Sequence, residues 1–178
     1  MRNLKKILVI SGSIRESSTN LNLINAIIRL YRRRLDFSFF QGLSAIPPFN
    51  PDLDRKDPPA NVSDFRRQLN EADGVLICTP EYAMGVPGTL KNAIDWTVSS
   101  MEFSHKPVAL ITASSSGQKG HQSLLETLQV IESDIPASSQ LLIPFAQTKI
   151  KNDVITDTDT LDGVKKIMDS LINTIGEK

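Results

Sequence analysis

Residues 6–15 read KILVISGSIR, an apolar run that stops abruptly at small polar residues. Four consecutive apolar residues, Ile7 to Ile10, are typical of a strand that is covered on both faces within a parallel sheet. The polar segment after this run leads directly into a stretch with helical spacing of apolar residues. Strand, polar loop and helix in this order predict the beginning of an α/β domain.

The same alternation recurs along the rest of the chain. Short apolar runs predict further strands at residues 37–40, 75–77, 108–111 and 141–143. Five helices are predicted between and after them, and their apolar faces hold Leu21, Ile24, Ile28 and Tyr31 with Ile27 at the edge; Phe65 and Leu69; Leu90, Ile94 and Val98; Leu124, Leu125, Leu128 and Ile131; and Leu161, Val164, Ile167, Met168, Leu171 and Ile175. We expect Asp159 or Thr160 to cap the last helix.

This pattern predicts one doubly wound α/β domain over residues 1–178. Residues 46–59 interrupt the alternation with five prolines and no apolar period, so we expect a surface loop there. Trp96 and Val98, on the third predicted helix, belong either to the core or to a subunit interface, and the sequence does not separate the two.

Composition excludes several classes of function. Lys and Arg number 20, as do Asp and Glu, so the net charge of zero argues against nucleic-acid binding. Cys78 is the only cysteine, and His105 and His121 lack the spacing of metal ligands, so no metal site is expected. The apolar run at residues 7–10 is too short for a signal peptide, and no stretch is long enough to span a membrane. These features favour a soluble, cytoplasmic protein.

Residues 11–20, the first loop, are rich in hydroxyl groups and contain Arg15 and Asn20. The loop leads into a helix N-terminus, where unpaired N–H groups and the positive end of the helix dipole favour an anion. A helix cap is the alternative, in which only Ser18, Thr19 or Asn20 has a role. A cap accounts for one or two hydroxyls, but not for five together with Arg15, so we favour a phosphate site.

The type of phosphate ligand follows from missing motifs. The loop lacks G-x-x-x-x-G-K-[ST], which a nucleoside triphosphatase requires, and G-x-G-x-x-G, which is typical of dinucleotide binding. A mononucleotide with a terminal phosphate remains. Two more loops are predicted at the same edge of the sheet: the second loop, residues 79–88, has two prolines and two glycines, and the third loop, residues 112–120, consists mostly of small residues.

These loops resemble the NADPH-dependent FMN reductase family, which includes small azo-, quinone- and chromate-reducing enzymes. The first loop is similar to the family's G-S-x-R-x-x-S-x-N, and residues 46–52 to L-P-x-[YF]-N-x-D. Residues 79–96 match T-P-E-Y-N-x-x-[IV]-P-G-x-L-K-N-A-[IL]-D-W almost throughout, with Ala83 where the family usually has asparagine. The resemblance covers residues 6–150 and implies a flavodoxin-like fold with a five-stranded parallel sheet in the order 2-1-3-4-5.

The resemblance also implies a site and a reaction. FMN would be bound non-covalently by Ser13, Arg15, Ser18, Thr19 and Asn20 at its phosphate, and by Pro80, Glu81, Tyr82, Ala83, Ser114, Ser115, Ser116 and Gly117 around its ring system. NADPH or NADH would deliver hydride to flavin N5, and a small-molecule acceptor would then be reduced by a ping-pong mechanism. The flavin carries the chemistry, so no catalytic side chain is assigned. Family members commonly form homodimers or homotetramers.

Ordinary structural roles are expected for three further side chains. The Glu81 side chain is expected to serve the loop or a subunit contact, Cys78 to be a buried hydrophobe, and His121 to be an ordinary exposed histidine.

Two alternative functions are considered. A flavodoxin-type electron carrier is the first, although such carriers tend to be strongly acidic. A non-catalytic FMN-binding protein is the second.

Overall fold

The computed structural model describes residues 4–177. Its main sheet contains five parallel strands, β1 (Lys5–Ser11), β2 (Leu35–Phe39), β3 (Gly74–Thr79), β4 (Val108–Ala113) and β5 (Gln140–Ile143). They lie in the order β2-β1-β3-β4-β5, which confirms the five predicted strands and the flavodoxin-like arrangement. The order reverses between β1 and β3, and in such sheets ligands bind outside the carboxyl ends of the strands at this point.

Helices cover both faces of this sheet. The α-helices are α1 (Thr19–Tyr31), α2 (Ala60–Glu71), α3 (Gly88–Asp95), α4 (Gln118–Val130), α5 (Ala146–Lys149) and α6 (Thr158–Gly176), with 3-10 turns at Leu43–Ala45 and Ala137–Ser139. A short antiparallel pair that the sequence did not predict, β6 (Ile150–Lys151) and β7 (Val154–Ile155), precedes α6. Within residues 4–177, no helix combines the length and the apolar character of a membrane span.

The core consists of two apolar layers separated by the sheet. Ile7, Val9 and Cys78 pack with α1 and α6 on one face, whereas Leu8 and Ile10 pack with α2, α3 and α4 on the other. Because both faces of β1, β3 and β4 are covered, their apolar runs are continuous rather than alternating. Cys78 is 0% exposed and burial raises the pKa of its thiol, which confirms it as a buried hydrophobe.

Three details of the predicted helices were wrong. In α1, Leu23 and Ile27 are fully buried, whereas Ile28 is only partly buried, so the apolar face is rotated from the expected one. Val98 lies beyond the end of α3 and is 54% exposed. The cap of α6 is Asp157, whose carboxylate accepts a hydrogen bond from the Thr160 N–H at 2.9 Å.

The proline-rich segment 46–59 contains no strand or α-helix, as expected, and it is held by α3 and the residue after it. Asn92 Oδ1 accepts the Phe49 N–H at 2.7 Å, and Trp96 Nε1 donates to the Pro47 carbonyl at 2.8 Å. The ring of Phe49 meets that of Trp96 edge to face, with centroids 5.1 Å apart. Trp96 is 0% exposed, so it belongs to the core rather than to a free surface.

Candidate functional site

One cleft of about 330 Å³ opens at the carboxyl ends of β1, β3, β4 and β5, and its volume is within the range of small-molecule sites. Ten of the thirteen predicted cofactor-binding residues line it: Ser13, Arg15, Ser18, Thr19, Asn20, Pro80, Glu81, Tyr82, Ser114 and Ser115. The other three, Ala83, Ser116 and Gly117, belong to the same loops but do not line the cleft. Residues from three separate loops are therefore brought together as predicted.

The first loop is anchored to the sheet and curled by its own hydrogen bonds. The Gly12 N–H donates to the Cys78 carbonyl at 2.8 Å, and the Ser13 N–H donates to Ser11 Oγ at 3.3 Å. Glycine is required at position 12, because a Cβ atom there would lie 2.2 Å from Thr79 Oγ1. This close approach fixes where Ser13 leaves the strand.

The N-terminus of α1 forms the end of the cleft that is lined by Ser18, Thr19 and Asn20. Ser18 caps the helix, and its Oγ accepts the Leu21 N–H at 3.1 Å, so the cap interpretation is confirmed for this one hydroxyl. The N–H groups of Thr19 and Asn20, in the first turn, have no partner within the helix. Arg15 is exposed at the cleft and forms no ion pair with the described residues. These donors and the helix dipole suit a phosphate.

Asn20 gives a test of which phosphate compound fits. Its Nδ2 donates to the Ala113 carbonyl at 3.0 Å, but its Oδ1 is buried and has no hydrogen-bond partner among the described residues. An unpaired buried acceptor costs about 1–3 kcal/mol, and a phosphate dianion has no proton to donate to it. FMN carries ribityl hydroxyls beside its phosphate, so it supplies both the anion and the missing donor.

The second loop contains a tight turn that presents Tyr82 to the cleft. The Tyr82 N–H donates to the Gly85 carbonyl at 2.8 Å, and the Gly85 N–H donates back to the Tyr82 carbonyl at 2.9 Å. Ala83 and Met84 between them have φ values of 49° and 63°, as in a type I′ turn. This left-handed backbone costs free energy in residues other than glycine, and asparagine tolerates it better than alanine.

Glu81 joins the second loop to the third. Its carboxylate Oε2 accepts the Gly120 N–H at 2.7 Å, and its own N–H donates to Ser114 Oγ at 3.3 Å. The expectation that this side chain serves the loop is confirmed. Among the residues that line the cleft, Arg15 and Glu81 are the only ones with charged side chains, and the Glu81 carboxylate is held by Gly120.

The third loop enters α4 at Gly117, whose φ is 97°. The histidine that follows one turn later is not an ordinary exposed one, so that expectation was wrong. His121 is half-buried, and its Nδ1 lies 2.9 Å from Oγ1 of the fully buried Thr112. Burial lowers the pKa of His121. Within the described residues, no group of three or more His, Cys, Asp or Glu side chains is placed to hold a metal ion.

Sequence reasoning missed part of the lining. Ala113 and residues 145–148 also face the cleft. No motif marks residues 145–148, but they follow the predicted strand at 141–143. The rule that ligands gather at the carboxyl ends of strands applies to this strand as well and would have pointed to them.

Comparisons with known proteins agree with this geometry. The sequence model of the family described as NADPH-dependent FMN reductase matches residues 5–148. A 2-hydroxy-1,4-benzoquinone reductase from Burkholderia sp is 44% identical over 92 residues, which are 51% of this chain and 49% of that protein. An NAD(P)H-dependent FMN reductase from Pseudomonas aeruginosa is 40% identical over 111 residues, 61% of this chain and 60% of that protein. The match thus spans about half to three fifths of these relatives.

A solved structure shows the same fold over nearly all of the described residues. The flavoenzyme NAD(P)H:(acceptor) oxidoreductase FerB from Paracoccus denitrificans superimposes with a TM-score of 0.82 at 24% identity, covering 98% of both chains. The family model matches residues 5–148, which are most of the chain, and this match decides the family. The chain belongs to the NADPH-dependent FMN reductase family.

Proposed function

We propose that this protein is an NAD(P)H-dependent, FMN-containing oxidoreductase that reduces a small-molecule acceptor, and that residues 1–178 act as one FMN-binding domain. The observation that carries the proposal is the composition of the cleft. Its α1 end offers convergent donors and the Arg15 charge for a phosphate, while the loops after β3 and β4 line it with side chains that are uncharged apart from Glu81, whose carboxylate is bonded to Gly120. A nucleotide with an anionic tail and a flat neutral ring fits both ends.

Each part of the cleft has a distinct task in this proposal. Ser13, Arg15, Ser18, Thr19 and Asn20 would hold the phosphate and ribityl chain. Pro80, Glu81, Tyr82, Ser114 and Ser115 would flank the ring, while Ala83, Ser116 and Gly117 shape the loops that carry them. When bound, FMN would accept hydride from the nicotinamide and supply electrons to the acceptor. The protein contributes orientation and fixed hydrogen-bond donors.

The acceptor that we propose is a quinone-type molecule. One relative is named as a 2-hydroxy-1,4-benzoquinone reductase, and FerB is named as an NAD(P)H:(acceptor) oxidoreductase. The cleft agrees with such an acceptor, because its lining beyond Arg15 and Glu81 is uncharged. We further propose a homodimer or homotetramer in the cytoplasm, supported by the exposed apolar side chains of Val98 and Met101. Light scattering and cell fractionation test these two points.

The decisive experiment is a flavin titration of an Arg15 variant. A hydrogen bond to a charged group is worth about 1.5–3 kcal/mol, so Arg15→Ala should weaken FMN binding by about ten- to a hundredfold. Riboflavin lacks the phosphate, and its affinity should stay unchanged. Arg55→Ala is the control, because Arg55 is exposed, pairs with Asp52 and does not line the cleft. Equal FMN affinity in Arg15→Ala and wild type would refute the site.

Anaerobic reduction separates the enzyme from the rival electron carrier. NADPH alone should bleach the absorbance of the bound flavin in an enzyme of this type. A bound flavin that stays oxidised with NADPH and with NADH would favour the carrier. A protein that binds no flavin at all would contradict both.

A further inference from the structure

Phe145 combines two unfavourable features at the rim of the cleft. Its side chain is 66% exposed although it is large and apolar. Its backbone has φ 54° and ψ 37°, the left-handed region, which is an outlier for a bulky residue. Strained backbone conformations of this kind are concentrated at ligand sites, where the surrounding structure holds them in place. Phe145 also lines the cleft.

Hydrogen bonds fix the backbone on both sides of Phe145. Its N–H donates to the Ser115 carbonyl at 3.2 Å, and the Ala146 N–H donates to the Ser114 carbonyl at 3.1 Å. Thr148 Oγ1 donates to the Phe145 carbonyl at 2.8 Å. Because the third loop and α5 hold this segment, the backbone cannot turn to withdraw the side chain from the rim.

Apart from Glu81, whose carboxylate is bonded to Gly120, the lining from the second and third loops and from residues 145–148 is uncharged. Tyr82, 49% exposed, lines the same cleft from the second loop. Ser114, Ser115 and residues 146–148 carry no charge. Aromatic rings favour other rings in offset-stacked or edge-to-face contact. The cationic side chain among the residues that line the cleft is Arg15 of the first loop, which the proposed function assigns to the FMN phosphate.

We propose that Phe145 is a specificity-determining residue: with Tyr82 it forms an aromatic mouth of the cleft that receives uncharged, planar aromatic acceptors in preference to inorganic anions. This inference rests on the proposed function, because it assigns the acceptor class of the same site. Phe145 acts on the acceptor, whereas residues of the first, second and third loops hold FMN.

The test compares two acceptors in Phe145→Ala and Phe145→Gly, assayed as FMN-loaded enzyme with NADPH. Menadione, a neutral naphthoquinone, should show a KM raised by about three- to tenfold in both variants. Ferricyanide, an inorganic anion, should show an unchanged KM. The Kd of menadione for the oxidised enzyme, measured from the change in flavin absorbance, should rise by the same factor as its KM. Phe145→Tyr, which keeps an aromatic ring, should leave both values as in the wild type.

The two variants distinguish the effect of losing the aromatic ring from the effect of the strained backbone. Both substitutions remove the ring, but glycine adopts the left-handed backbone without strain. Loss in Phe145→Ala with normal behaviour of Phe145→Gly would assign the effect to the backbone and overturn the proposal. Val130→Ala is the control, because Val130 is 81% exposed at the far end of α4.

Other results would also overturn it. A menadione KM within twofold of wild type in both variants, equal changes for both acceptors, or a change of subunit assembly with unchanged menadione affinity each contradict the assignment. Failure of the proposed function looks different, because wild-type protein would then bind no FMN or would not oxidise NADPH.

Discussion

The Glu81 carboxylate caps helix α4 from a different loop, since its Oε2 accepts the Gly120 N–H at 2.7 Å. The residue at the usual capping position, Gly117, has no side chain to do so, and Gly120 in the first turn has no partner within the helix. A carboxylate at this position also complements the helix dipole. The second and third loops therefore form one frame.

We predict that removing this cap loosens the frame. Glu81→Ala should lower the free energy of unfolding by about 1–3 kcal/mol, because the N–H of the buried Gly120 loses its acceptor. Glu81→Gln keeps an acceptor oxygen and should cost only about 0.3–1 kcal/mol for the lost charge. Urea unfolding measures both, and hydrogen exchange at residues 120–122 should accelerate most in Glu81→Ala. Glu126→Ala, on the exposed part of the same helix, is the control; equal losses in it and Glu81→Ala would contradict the prediction.

A second prediction concerns the close contact at Gly120. Replacing glycine by alanine inside a helix normally stabilises it by about 0.5–1 kcal/mol. At position 120, however, a Cβ atom would lie 2.8 Å from the Gly85 carbonyl oxygen and 3.1 Å from Glu81 Cγ. Gly120→Ala should therefore lower the melting temperature.

Gly163 in α6 is the matched control. The three atoms nearest to a Cβ atom there all belong to the side chain of Leu141, the closest being the terminal Cδ1 at 3.0 Å, and this side chain can adjust. Gly163→Ala should raise the melting temperature. If both alanines stabilise the protein, the second loop is not held against α4 as described.

A third prediction concerns the turn that carries Tyr82. Ala83, with φ 49°, should be replaced favourably by asparagine, which adopts the left-handed region more readily. Ala83→Asn should raise the free energy of unfolding by about 0.5–1 kcal/mol, and addition of Met84→Gly should raise it further, since Asn-Gly is the preferred type I′ pair. Ala60→Asn, in helix α2, should be neutral or destabilising. A loss of stability in Ala83→Asn would rule out this turn geometry.

The fold was largely readable from the sequence because β1, β3 and β4 are covered on both faces and therefore appear as continuous apolar runs. Details that depend on distant contacts were not readable. Val98 continues the apolar spacing of α3, but that helix ends at Asp95, and the carbonyl of the following Trp96 is bonded to Arg66 on α2. No pattern in the sequence around Trp96 predicts that its carbonyl bonds a side chain of another helix.

The site was readable to the extent that its residues stand in local motifs. Arg15 and Asn20 belong to a polar loop before a helix, and both line the cleft. Phe145 lies in no motif, and its role at the rim depends on backbone bonds to the third loop, thirty residues earlier in the chain. The contact between Glu81 and Gly120 likewise joins two segments that only the fold brings together.

The fourth prediction is a pH dependence of stability that comes from His121. Burial lowers the pKa of His121 in the folded protein, so the unfolded chain binds the proton more tightly. Stability should therefore fall as the pH drops below about 6.5, the ordinary value for histidine, by less than about 1.4 kcal/mol per pH unit.

Urea unfolding between pH 7.5 and pH 5, a range of about 2.5 units around that ordinary value, measures this slope. His121→Asn should make it shallower, because the titrating ring is gone while an amide can still bond Thr112. His105→Asn, at the exposed histidine, should leave it as in wild type. An unaltered slope in His121→Asn would show that other groups cause the acid sensitivity.

The position of Cys78 matters for the quinone acceptors that we propose. Such molecules are electrophiles and alkylate thiolates by Michael addition. The only thiol of this chain lies beneath α1 and α6 at 0% exposure, and its raised pKa keeps it protonated, so it presents no nucleophilic sulfur. For the acceptors proposed above, repeated turnover would therefore leave the Cys78 thiol unalkylated.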